Sequence, residues 1–90
     1  MHDVEQTIQD MKNLISQGGG SSQWFAQAFL SWFSHDTNHY VDLSGVGRLD
    51  NRNFDLLLKM LRLRRDWQLT ESDVESLIDL HELTLKRWDQ

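Results

Sequence analysis

Apolar residues recur along this chain at three- and four-residue intervals rather than at alternate positions, which is the period of a helix and not of a strand. Val4, Ile8, Met11 and Ile15 form one stripe, with Leu14 at its edge and Gln9, Lys12 and Asn13 away from it. That is the pattern of a helix packed on one side. Gly18-Gly19-Gly20 stops it, and Ser21 or Ser22 is placed to cap the next helix. Trp24, Phe25, Ala28, Phe29, Trp32 and Phe33, joined by Ala26 and Leu30, then surround most of a second helix, which is therefore expected at the centre. Asp50 or Asn51 caps a third helix with a core arc of Phe54, Leu57, Leu58 and Leu61, while Leu56, Met60 and Leu63 spread to a second side. Thr70 and Asp73 make a capping-box-like start to a fourth, whose inward face reads Val74, Leu77, Ile78, His81, Leu85 and Trp88. The pattern predicts an all-α fold: a single domain, a compact bundle of about four helices near residues 4–16, 22–34, 51–65 and 71–88, with a long polar connection over 34–50.

Composition supports one core. Ninety residues, 39% of them hydrophobic, suit one domain without staples, and four Trp and four Phe supply large rings to fill it. The absence of cysteine excludes disulfides, thiolate metal sites and cysteine nucleophiles. No basic start with an apolar run marks a secretory signal, and no segment is apolar enough to span a bilayer, so a cytoplasmic protein without membrane association is expected.

Charge changes the picture more. The net charge is −5, which disfavours general binding to nucleic acid, yet its layout is uneven. Residues 1–47 carry a net −4, residues 48–65 a net +4 and residues 66–90 a net −5. The basic segment, Arg48, Arg52, Lys59, Arg62, Arg64 and Arg65, makes a small DNA-associated regulator the alternative reading. Asp55 weakens it, because its spacing from Arg52 and Lys59 predicts ion pairs that neutralise the stripe. A basic third helix beside an acidic fourth, with Glu75, Asp79 and Glu82 opposite the cations, accounts for the same residues. The acidic run Asp66, Glu71, Asp73, Glu75, Asp79 and Glu82 is also a candidate surface for a basic partner, with a solvated helix face as its simpler explanation.

Candidate chemistry is sparse. Ser34-His35-Asp36-Thr37-Asn38-His39-Tyr40 sets two histidines four apart, but past a helix end and without the glutamate of a zinc protease, so His35, Asp36 and His39 are weak metal candidates. Leu43-Ser44-Gly45-Val46-Gly47 is neither a nucleophile elbow nor a dinucleotide loop, although a phosphate-cradling turn ahead of the third helix is conceivable with Arg48 beside it. His81 reads as a partly buried histidine with one bonded nitrogen. No cofactor and no enzymatic activity are expected. What remains is surplus apolar surface: Leu56, Met60 and Leu63 with Leu80 and Leu83 lie off the main stripes and predict contact with a protein partner, a second copy of the chain included.

The run Leu14 to Ser22, Phe29-Leu30-Ser31-Trp32-Phe33, Val41-Asp42-Leu43 and Leu56-Leu57-Leu58-Lys59-Met60-Leu61 resembles a family of small uncharacterised helical proteins from bacterial mobile elements. The resemblance covers about residues 14–63 and rests on packing and turn residues, and the basic run Arg62 to Arg65 departs from it. It implies a phage- or plasmid-encoded accessory protein that binds a host protein, in the functional class of small acidic inhibitors of host defence such as anti-CRISPR proteins. The expected function is thus that of a non-enzymatic, acidic protein-interaction module.

Overall fold

Gly18 and Gly19 take left-handed backbone angles, φ 93° and 97°, where a side chain would clash with the following carbonyl, and the first helix ends there. The computed structural model describes residues 4–33 and 41–88. It places helix α1 at Val4–Gln17, α2 at Gly20–Phe33, a short 3-10 helix at Leu43–Arg48, α3 at Asn51–Asp66 and α4 at Glu71–Trp88. All the described elements are helical, and the all-α bundle follows. The radius of gyration, 12.2 Å, matches the roughly 12 Å of a single folded domain of this length.

The caps are partly as the residues dictate. Asp50 accepts from the Asn53 amide at 2.8 Å, and Thr70 and Asp73 exchange two hydrogen bonds at 3.0 and 3.1 Å, a reciprocal box that satisfies two orphan amides of α4. Ser22 does something else. Helix α2 begins at Gly20, before it, and its buried hydroxyl donates back to the carbonyls of Leu14 at 2.6 Å and Gly18 at 3.1 Å. So tight a reversal lays the first turn of α2 on the last turn of α1, and the serine closes the C-terminus of α1 instead of capping α2.

Helix α2 is central, as its composition requires. Phe25, Phe29 and Leu30 are fully buried together with Met11 and Ile15 of α1, Met60 of α3 and Leu77 of α4. Both α3 and α4 pack on α1 and α2, so neither takes the other as its main support, and the expected pairing of a basic third helix with an acidic fourth does not describe the packing. At one end of the bundle Trp32 of α2 meets Trp67, just past α3, with ring centroids 6.1 Å apart. At the other, the Ser21 hydroxyl donates to the Arg48 carbonyl at 3.2 Å, immediately before α3. Helices α2 and α3 are therefore parallel. The end of α2 and the start of α3, which residues 34–50 join, thus lie about the length of α2 apart, about 21 Å at 1.5 Å per residue, a span that no short turn could cross.

The described part of that connection is docked, not loose. Trp24 Nε1 donates to the Asp42 carbonyl at 2.8 Å, and Gly45 lies so close that a Cβ there would collide with the Trp24 indole. The Asp42 carboxylate accepts from the Ser44 amide at 3.0 Å. Hydrogen bonding from the Ser44 hydroxyl and then from its amide, with the Arg48 charge adding to them, holds the carboxyl below the usual range. The Leu43 to Gly47 turn is thus a packing piece over α2.

Helix α3 is rotated from the face the periodicity predicts, and α4 departs from its predicted face only at its edges. In α3 the buried residues are Leu56, Leu57, Met60 and Leu63, whereas Phe54 and Leu61 are 40% and 48% exposed. Both sides are apolar, so rotation is decided by what anchors the helix. Trp67, in a left-handed C-cap with φ 42°, donates its amide to Leu63, rests on Trp32 and receives the Arg64 guanidinium 4.8 Å from its ring. In α4, Leu77, Leu80 and Thr84 are buried, while Ile78 is 45% exposed. Trp88 fixes that face by donating from Nε1 to the Ile15 carbonyl at 2.9 Å.

Candidate functional site

The outer face of α4 carries Glu71, Glu75, Asp79 and Glu82, all exposed. Spacings of four, four and three residues set them along one side of the helix, with steps of about 6 Å between carboxylates four apart. No hydrogen bond or ion pair engages any of the four among the described residues. Ile78 lies at the edge of this row, continued by the half-buried Val74 and Leu85. The fifth acid assigned to the surface, Asp73, is spent on the capping box. Asp66 lies at the end of α3, where Arg65 Nε is 2.9 Å from its carboxylate.

The apolar residues assigned to a partner are not free. Leu56, Met60, Leu63 and Leu80 are buried, and Leu83 is half-buried against the same core. They serve internal packing because α3 and α4 turn those sides toward α1 and α2, and the exposed apolar row on α3 is instead Phe54, Leu58 and Leu61. Its signal was present in the sequence, in a helix with more apolar residues than one stripe uses, but which stripe stayed outside was not.

The basic residues differ in exposure. Arg48, Arg52, Lys59, Arg62 and Arg65 are exposed, whereas Arg64 is half-buried and committed to the Trp67 ring. Arg52 and Lys59 flank an open polar groove of about 880 Å³ between α1, the glycine turn and α3, in which Asp10, Asp50 and Asp55 also stand. Carboxylates interleaved with the cations make it a poor cradle for phosphate. The ion pairs expected of Asp55 with Arg52 and Lys59 do not form: no ion pair engages Asp55 among the described residues.

His35, Asp36 and His39 lie outside the described residues, and among those described no cluster of three or more His, Asp or Glu side chains is placed to hold a metal. His81 is half-buried with its ring 4.9 Å from Phe33, and no hydrogen bond engages it among the described residues, so ring contact replaces the bonded nitrogen expected of it. No described helix is long and apolar enough to cross a membrane. No protein-family model matches the chain, and no curated protein or solved structure matches it.

Proposed function

We propose that this chain is a non-enzymatic protein-interaction module whose working surface is the acidic row of α4, Glu71, Glu75, Asp79 and Glu82, and whose partner is a protein with a basic surface. The supporting observation is that these four carboxylates share one exposed helix face and are engaged by nothing among the described residues. Desolvating them against Lys and Arg of a partner gives charge-assisted bonds, and the field of the row steers encounter before contact. The adjoining Ile78 adds an apolar contact at the edge, where it can be buried with the ion pairs. With the resemblance to mobile-element proteins as further support, the reading extends to an accessory protein that occupies a basic nucleic-acid channel of a host protein in the cytoplasm, as an anti-CRISPR protein does.

The test is a quantitative pull-down from host extract with the native chain and with a variant carrying E71Q, E75Q, D79N and E82Q, leaving Asp73 and its cap intact. The native chain is expected to retain a basic protein that is released by salt and that the variant fails to retain, with helicity by circular dichroism unchanged. An identical set of captured proteins for both chains would refute the acidic row as the surface. Retention on heparin that falls steeply with salt would instead favour the DNA-associated alternative, whose exposed cations are Arg48, Arg52, Lys59, Arg62 and Arg65.

A further inference from the structure

The outer face of α3 carries an apolar row. Phe54, Leu58 and Leu61 stand at positions i, i+4 and i+7 and share one face. Phe54 and Leu61 are large apolar side chains left substantially exposed, and Leu58 between them is half-buried. Asp55 and Arg62 are seven residues apart, two helical turns, and so lie along the same flank of this row, one near each end. Both are exposed, and no hydrogen bond or ion pair engages either among the described residues.

We infer that this row is the contact face of a symmetric dimer in which α3 of one chain packs antiparallel on α3 of a second copy, with the two-fold axis passing beside Leu58. The assignment follows from symmetry. A two-fold axis normal to the plane of two antiparallel helices reverses their direction but keeps each flank on its own side, so residues on opposite sides of Leu58 face each other when their distances from it match to within one residue, about 1.5 Å of rise. Phe54 then meets Leu61 of the second copy, and Leu61 meets its Phe54. On the flank, Asp55 meets Arg62 of the second copy, and the same pair recurs at the other end. Arg65, one turn beyond Leu61, comes opposite the exposed Asn51, a polar partner without charge conflict. The same patch therefore complements itself in shape class and in charge, which is what an isologous interface demands.

This charge layout also chooses the occupant. A partner helix of uniform charge would meet attraction at one end of the row and repulsion at the other, whereas a second copy meets attraction at both. The dimer leaves α4 outside the contact, so it is independent of the acidic-row reading and would present that row twice.

Sedimentation velocity of the full chain, over about 1 µM to 1 mM to bracket an interface of one helix face, tests it. The mass is expected to rise from the 10.6 kDa of one chain toward twice that value. L61Q, and D55R and R62D singly, should each weaken the dimer about tenfold or more, since each removes burial or sets like charges opposite. The double variant D55R with R62D should recover association to within about threefold of the native chain, because the swap restores opposite charges across the axis. All the altered positions are exposed, and circular dichroism with urea titration confirms that each variant is folded. A chain that stays monomeric throughout overturns the dimer. So does a dimer indifferent to L61Q and the single swaps, and a double variant that stays dissociated overturns the antiparallel register.

Discussion

Two tryptophans near opposite ends of α2 close the bundle in different ways. Trp24 has its indole nitrogen bonded to the Asp42 carbonyl and its ring covered by Gly45. Trp32 is as deeply buried, yet its indole nitrogen has no hydrogen-bond partner among the described residues, and its ring is held by Phe29, Phe33 and Trp67. One end is sealed by a directed bond and a steric fit, the other by stacked rings around an orphaned donor and a C-cap in left-handed backbone. A small all-α domain can thus hold one end by specific geometry and the other by area alone, and the second end carries the unmet polar cost.

The contrast can be broken most strongly at Gly45. Its role is steric, so Gly45→Ala forces the 3-10 helix off the Trp24 ring and is expected to cost about 1–3 kcal/mol in urea unfolding. A loss below about 0.5 kcal/mol, the range of neutral surface changes, would show that the close approach is not maintained. Trp-to-Phe exchange sharpens the comparison next. Trp24→Phe loses a hydrogen bond, whereas Trp32→Phe removes a donor that has none, so the first should be the more destabilising by at least about 1 kcal/mol. Equal losses would mean that the Trp32 nitrogen finds a partner in solution. The smallest expected difference is at Trp67: glycine adopts φ 42° without penalty, whereas alanine, like the native Trp, carries the cost of its Cβ there, so Trp67→Gly should unfold at higher urea than Trp67→Ala by the equivalent of about 1 kcal/mol. Both variants lose the ring contacts, which leaves the backbone preference as the difference between them.

Legibility in the sequence followed how much each element depends on its neighbours. The stripe of α1, the encircling apolar surface of α2, the Asp50 cap and the Thr70 and Asp73 box were readable because each rests on residues within a turn or two. The acidic row of α4 was readable for the same reason, apart from Asp73, whose carboxylate the cap consumes. The inward face of α3 was not, and that of α4 was readable except at Ile78, which stays exposed, and at Leu80 and Thr84, which are buried. Leu58 and Leu61 fit a helical stripe as well as Met60 and Leu63 do, and the choice between them lies in contacts far along the chain, Trp67 on Trp32 and Trp88 on Ile15. That inversion moved the exposed apolar surface from Leu56, Met60 and Leu63 to Phe54, Leu58 and Leu61.

Helical period, stop signals, caps and the alternation of acidic and basic segments are local quantities, and the sequence by itself determined them: an all-α chain of four main helices with α2 at its centre and acids along α4. Tertiary structure decided the rotation of α3, the edges of the buried face of α4 and the parallel course of α2 and α3, which no short turn could join. It also decided which apolar row stays in water. The reason is that an amphipathic pattern names the faces a helix could bury, while the one it does bury minimises the exposed area of the whole assembly, a sum over residues up to 73 positions apart.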